Sequence, residues 1–197
     1  MTDESEAAWP VDPAGVTESI VTTLGPNELW NVAALGLHAP EDDGPVTATT
    51  WGRTRTWRNF NERGEGYVQF TRDPVDFAEA ALSVREESEP VLDSADAWVR
   101  VSVERLAEGE DGDTQWVTWA LMPVNARVER RTVPTTNRGH AAVVEATVAA
   151  SRLDVPAYDR DVLLDRLRYF ESVVETAGSE RERAAFNRVR GLVDAEW

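Results

Sequence analysis

The chain has 197 residues, 42% of them hydrophobic, and 36 acids against 20 basic residues set a formal net charge of −16. That length holds one full core with an appended subdomain, or two small domains, and eight tryptophans argue for a folded globule over a disordered chain. With no cysteine and no lysine, disulfides, thiolate nucleophiles, iron–sulfur clusters, Schiff-base chemistry and the P-loop lysine are all excluded.

Met1 to Gly15 is acidic, carries Pro10 and Pro13, and reads as a loose tail. Glu18 to Leu24 is rich in β-branched residues and predicts a strand, and Gly25-Pro26-Asn27-Glu28 supplies turn chemistry for a hairpin. Leu29 to Ala39 is nearly uncharged and predicts an inner strand, with Ala33, Ala34 and Gly36 leaving room for a close approach to its backbone. Pro40 to Pro45 is an acidic loop, and Val46 to Trp51 alternates as a third strand. The first 52 residues hold nine acids and no basic residue; then Gly52-Arg53-Thr54-Arg55-Thr56-Trp57-Arg58-Asn59 concentrates three arginines, two threonines and an asparagine. Thr56 to Arg63 predicts a short helix stopped by Gly64. Gly66 to Arg72 is a fourth strand, after which Asp73 as N-cap and Pro74 at the first helical position open a helix of about nine residues.

Glu86 to Asp96 is an acidic connector. Ala97 to Ala107 puts Val99, Val101 and Val103 on one face and Arg100, Ser102 and Glu104 on the other, a half-buried strand. The acidic loop Glu108 to Asp113 leads to a long strand, Thr114 to Val133, broken near Pro123. These strands predict a small closed or split barrel. From Thr135 the pattern is helical. Gly139 to Leu153 forms one helix; Asp159 or Asp161 opens the next, with Leu163, Leu167, Phe170 and Val174 at helical spacing. Gly178 ends it, and Ser179 with Glu182 makes a capping box for a last helix lined by Ala185, Val189 and Leu192. The expected fold class is α+β, mainly β: a tail over residues 1–15, a barrel over 16–134 and a helical subdomain over 135–197 packed on it.

Residues 53–72 hold five arginines against two acids, Glu62 and Glu65, a local charge of +3. A helix N-terminus accepts anions through its free N–H groups and partial positive charge. Thr54 and Thr56 add hydroxyls, Asn59 an amide, and Arg53 or Arg55 a fork matched to phosphate oxygens. The competing reading pairs the arginines with nearby carboxylates and leaves the threonines as caps. Trp30-Asn31-Val32-Ala33-Ala34 could lay a flat backbone edge against a planar ring, or be a plain core strand. The Glu41-Asp42-Asp43 and Glu108 to Asp113 clusters lack an EF-hand pattern, and His38 and His140 lie far apart, so no metal is expected. Arg127, Arg130, Arg131 and Arg138 either complete a ligand site or brace the barrel-to-helix junction. No signal peptide or membrane-length apolar run is found, which leads to the expectation of a soluble, cytoplasmic protein. No basic stripe with interleaved aromatics is found either, so nucleic acid is not an expected partner. The acids are spread through loops and helix faces, which points to adaptation to high salt.

The order Val21-Thr22-Thr23, Asn31-Val32-Ala33-Ala34, Gly52 to Asn59 and Asp73-Pro74-Val75-Asp76-Phe77 resembles the FMN-binding split-barrel proteins, close to flavin reductases. More narrowly, the chain is similar to an archaeal family labelled as a domain of unknown function. In that family the barrel is followed by a helical tail resembling Thr136-Asn137-Arg138-Gly139-His140 onward, with Glu145-Ala146 and Ser151-Arg152-Leu153. The resemblance covers about residues 16–195. It implies a homodimer with FMN at the subunit interface. By position, Arg53, Thr54, Arg55, Thr56 and Asn59 would hold the phosphate, and the Asn31, Val32, Ala33 and Ala34 backbone would run along the isoalloxazine. It implies an FMN-dependent oxidoreductase, a reductase exchanging electrons with a small molecule. A non-catalytic FMN-binding module and a ligand-free dimeric scaffold stay open beside it, and no catalytic acid or base is carried over.

Overall fold

The computed structural model describes residues 8–40 and 44–197. The expected tail as far as Ala7 and the Glu41-Asp42-Asp43 cluster lie outside the described residues. The elements in chain order are β1 (Val16–Leu24), β2 (Trp30–His38), β3 (Val46–Trp51), α1 (Arg55–Arg63), β4 (Glu65–Thr71), α2 (Pro74–Leu82), β5 (Arg85–Glu87), β6 (Ala95–Asp111), β7 (Thr114–Val128), α3 (Arg138–Ala150), α4 (Arg160–Ala177) and α5 (Glu180–Leu192). They form two compact units, one of residues up to 71 together with 85–131, the other of residues 72–84 and 132–197.

In the first unit the sheet order is β1-β4-β6-β7-β3-β2-β5, and β1 also pairs with β2, so six antiparallel strands close into a barrel and β5 adds a seventh along β2. Period-two alternation sends Val21, Leu35, Leu37, Val68, Val99, Val101, Trp119 and Leu121 inward. Phe60 of α1 joins them, edge-on to Trp119 at 5.5 Å. Inside the expected tail, Trp9 packs edge-on against Phe70.

Three local features depart from the sequence pattern, each for a physical reason. β7 runs unbroken through Pro123, because Arg100 pairs with Asn125 and Val101 with Pro123, a bulge that absorbs the proline's missing donor. The expected loop Glu108 to Asp113 is instead the end of a hairpin: Asp111 pairs with Thr114 across Gly112 (φ 58°) and Asp113, and the acids stay hydrated on its faces. The connector Glu86 to Asp96 begins inside β5 and then lies over the outside of β1 and β4. There Thr22 Oγ1 and Gln69 Nε2 both donate to the Pro90 carbonyl, and Gln69 Oε1 accepts from Leu92 N–H at 2.7 Å. That cover is why Thr22 and Gln69 are buried on the outer face.

The second unit has its own core of Ala78, Ala142, Val143, Ala146, Leu163, Leu167, Val174, Phe186 and Val189. It takes in the inserted segment 72–84, where the sequence division kept that segment with the barrel. α2 brings Ala78, Val75 and Leu82 to this core, and Asp73 and Glu79 pair with Arg181 and Arg188 of α5. Asp159, not Asp161, caps α4, and the Ser179–Glu182 capping box is present. No described helix is long and apolar enough to cross a membrane.

Candidate functional site

β3 hands the chain to α1 through Gly52, which sits at φ 72° and donates its N–H to the Gln115 carbonyl at 2.6 Å. Thr54 is the N-cap, extended at φ −66° and ψ 169°, and its Oγ1 accepts from Trp57 N–H at 3.1 Å. Thr56, two residues further on, is buried, its Oγ1 accepting from Asn31 Nδ2 of β2 at 3.5 Å. Gly64, at φ 68°, closes the helix with its N–H on the Phe60 carbonyl. The helix therefore starts one residue earlier than its composition suggests, because Thr54 caps and Thr56 packs.

Arg53 and Arg55 sit outside this buried side, and each has a neighbour. Arg53 Nε donates to Gln115 Oε1 at 3.2 Å, with its guanidinium 5.8 Å from the Trp57 ring centroid. Arg55 Nη1 meets Glu86 Oε1 of β5 at 2.6 Å, a carboxylate that also accepts from Asn27 Nδ2 at 3.2 Å. Asn59, grouped by its spacing with the anion donors, is 1% exposed and gives its amide nitrogen to Thr23 Oγ1 at 2.9 Å and the Thr23 carbonyl at 3.3 Å. It anchors α1 to β1. Its Oδ1, and the Nε of neighbouring Arg58, are buried with no partner among the described residues.

Two features distinguish this end of the barrel. The first turn of α1, like that of α3, carries no acid, whereas α2, α4 and α5 place Asp76, Asp161, and Glu180 with Glu182 in theirs. The positive end of α1 is thus left without a carboxylate of its own helix. The second feature is the open edge of β2. β1 pairs along all of β2, while on its other edge β5 takes Trp30 to Val32 and β3 takes Leu37 and His38. Ala33, Ala34, Leu35 and Gly36 between them have no strand partner on that edge among the described residues, and Ala33, Ala34 and Gly36 are only half-buried. The Asn31–Thr56 hydrogen bond joins this edge to the helix N-terminus. The arrangement offers guanidinium, hydroxyl and backbone N–H donors for a tetrahedral oxyanion, beside a small-residue strand edge against which a planar ring can lie.

Glu86 and Gln115, which position the two arginines, are absent from any sequence motif. They reach the site through strand register: Glu86 opposite Asn31, Gln115 near the tip of the β6–β7 hairpin opposite Glu110. Of the second arginine group, Arg130 clamps the turn before β6, donating to the Ala95 and Asp93 carbonyls and pairing with Asp96, and Arg127 pairs with Glu129 at 3.3 Å. Arg138 opens α3 in the other unit. Among the described residues no group of His, Cys, Asp or Glu could hold a metal ion.

The sequence profile of the family described as protein of unknown function DUF447 matches in two parts, its N-terminal domain over residues 17–130 and its second part over residues 137–191. Among solved structures, an FMN-bound protein of that family from Methanosarcina mazei is similar at a TM-score of 0.78 and 24% identity, over 92% of this chain and 97% of that one. Nitrilotriacetate monooxygenase component B from Bacillus cereus is similar at a TM-score of 0.45 and 16% identity, over 58% of this chain and 70% of that one. The styrene monooxygenase flavin reductase from Pseudomonas putida S12 follows at a TM-score of 0.39 and 14% identity, over 58% and 80%. With its closed six-stranded barrel, its added strand and its C-terminal helices, this chain has the split-barrel fold and belongs to the DUF447 family.

Proposed function

We propose that the chain binds FMN, with the phosphate at the N-terminus of α1 and the isoalloxazine along the Asn31 to Ala34 stretch of β2, and acts as a flavin-dependent oxidoreductase. The observation that carries this reading is the junction of an acid-free helix N-terminus with an unpaired strand edge, tied together by Asn31 and Thr56. The donor set fits a phosphate monoester. Thr54 and Thr56 accept their intramolecular bonds through oxygen, so each O–H remains to donate. Arg53 and Arg55 supply forked donors, and Asn59 and Val32 hold the helix and strand that present them. The FMN-bound family member from Methanosarcina mazei supports FMN as the phosphate-bearing ligand. Bound FMN supplies the redox chemistry; the polypeptide binds, orients and shields it. A ring on the open edge of β2 has protein on one side, which favours a homodimer whose second copy covers the other. The dispersed acids fit a salt-rich, archaeal setting.

Flavin extraction from the purified protein and an FMN titration by flavin fluorescence, at low and at molar salt, test the binding. Colourless protein with no quenching at either salt would sink it. A donor screen tests the reaction: bound FMN should be reduced by a nicotinamide or deazaflavin donor faster than free FMN. If no donor does so, the non-catalytic binding module is the better reading.

A further inference from the structure

A cleft of about 400 Å³ lies between the turn that opens α1 and the β6–β7 hairpin. Its lining includes Trp57, Trp116, Arg53, Arg105, Glu108 and Gln115, and the flavin reading uses only Arg53 of these. We infer that this cleft binds a purine nucleoside phosphate group, either a free nucleotide or the adenylate half of a dinucleotide.

The walls are built for a flat ring. Trp116 stands opposite Gly109, and a Cβ on that glycine would come within 2.6 Å of the indole Cζ2 and 2.8 Å of Cε2, so the bare glycine backbone is what lets the indole lie against the strand. Trp57, half-buried on α1, gives a second indole. Base–aromatic stacking accepts any base but rewards ring area, which favours a purine. The polar groups are pre-set. Gln115 is held at both ends of its amide, accepting from Arg53 Nε at 3.2 Å and donating from Nε2 to Glu110 Oε1 at 3.3 Å. Gln115 engages Arg53 through Nε, and the guanidinium lies 5.8 Å from the Trp57 ring centroid, with no hydrogen bond from its Nη groups among the described residues. They remain to meet a phosphate oxygen. Arg105 is occupied by Glu108 at 2.6 Å and Asn61 at 2.6 Å.

Charge narrows the ligand further. Two guanidiniums and two carboxylates, Glu108 and Glu110, leave the cleft near neutral in a chain of net charge −16. A polyphosphate or a nucleic acid strand would face uncompensated repulsion. A ligand with one phosphate and an exocyclic ring amine suits both halves: Arg53 takes the oxyanion, and a glutamate accepts from the amine.

The test is tryptophan fluorescence and calorimetric titration of the whole protein with AMP, GMP, NAD and ribose 5-phosphate. Saturable binding of AMP or GMP, tighter than ribose 5-phosphate, is expected; NAD binding at least as well as AMP identifies a dinucleotide source, and weaker binding a free nucleotide. Trp116→Ala should weaken nucleotide binding about tenfold or more, the scale of one lost base–aromatic stack. Gln115→Ala, which releases Arg53, should weaken it as well. No saturable AMP or GMP binding overturns the inference. So does ribose 5-phosphate binding as tightly as AMP, or nucleotide affinity unchanged in both variants. FMN affinity measured on the parent and on Trp116→Ala separates the two claims: a parent that binds FMN but no nucleotide condemns the cleft alone, and a Trp116→Ala protein that loses nucleotide but keeps FMN places the nucleotide in the cleft.

Discussion

Arg55 has two claims on its guanidinium. In the protein alone it meets Glu86 at 2.6 Å with 44% of its side chain exposed, and an ion pair that exposed contributes about 0–1 kcal/mol. In the proposed flavin complex a charge-assisted bond to the phosphate would contribute about 1.5–3 kcal/mol. Arg55→Ala should therefore weaken FMN binding by about 1.5–3 kcal/mol and barely change stability. Glu86→Gln, which removes the competitor and keeps the amide contact to Asn27, should bind FMN as tightly as the parent or more tightly. Paired titrations of the two variants check this; an Arg55→Ala protein with parental affinity would place the phosphate elsewhere. The strand-to-helix switch at this turn was legible in the sequence, because a hydroxyl residue ahead of a helix-favouring run and a closing glycine is a local cap signal. The division of labour among its residues was not. Which threonine caps depends on a single N–H direction, and Asn59 could be seen as an anchor only once Thr23 lay beneath it. Glu86 and Gln115 come from elements 31 and 62 residues away, and nothing local announces them.

At the scale of elements, helix starts were the most legible part of the chain, since a cap is a local device: Asp73-Pro74, Asp159 and Ser179 with Glu182 each stand where their chemistry says. A three-residue strand carries no period, so β5 was invisible, and the bulge that rescues Pro123 lies in the pairing. Glu182 does more than its motif requires. It also accepts from Asn137 Nδ2, the cap of α3, at 3.0 Å, and so ties two helix N-termini to one buried carboxylate. Burial pushes that carboxyl up, but the hydrogen bonds from Ser179 and Asn137 outweigh it and hold it below its ordinary value. Asp73 is lowered in the same way, burial being outweighed by Arg181 and the Val75 and Asp76 N–H groups. Burial lowers His140, against the pull of Glu182 and Asp73. A lowered carboxylate stabilises the folded state above its unfolded value, about 4, and that contribution is lost as pH falls through the folded value. A histidine kept neutral likewise stabilises above about 6.5 and loses that contribution below it. All three act in one direction, so the melting temperature followed by far-UV circular dichroism should fall from about pH 6.5 and more steeply below about pH 4. His140→Asn should flatten the first limb and Glu182→Gln make the second shallower; a flat profile from neutral to strongly acid pH would refute the assignment. The same junction is sterically closed: a Cβ on Gly139 would sit 2.5 Å from Gly178 Cα and 3.0 Å from its nitrogen, both backbone atoms. Gly139→Ala should cost about 1–3 kcal/mol in urea unfolding, and an unchanged midpoint would mean the two helix ends are not locked.

At the scale of the whole molecule, barrel closure was inferred from strand count, but the strand order and the assignment of residues 72–84 to the helical unit needed three dimensions, because an insertion looks like any other helix in one. Net charge was legible from the start, and its consequence differs from that of the ion pairs. Exposed pairs such as Arg63–Glu28, Arg105–Glu108 and Arg168–Asp165 each contribute little and weaken in salt. The surplus of 16 negative charges forms many like pairs, each costing ~0.2 kcal/mol at about 20 Å in water before screening. Repulsion summed over so many pairs outweighs a handful of weak attractions, so the melting temperature should rise from low to molar salt, and a fall would show that the pairs dominate. The same field acts on the ligand. An FMN phosphate approaching a chain of charge −16 is repelled at long range, while at the proposed site Arg53 and Arg55 would act only at contact. Salt shortens the repulsion from about 30 Å at 0.01 M to ~3 Å at 1 M and leaves the contact bonds less affected. FMN association, followed by stopped-flow flavin fluorescence, should therefore speed up with added salt while dissociation changes little. Steered anion sites behave in the opposite way, and association that slows with salt would mean that the arginine turn projects its field beyond the acids around it.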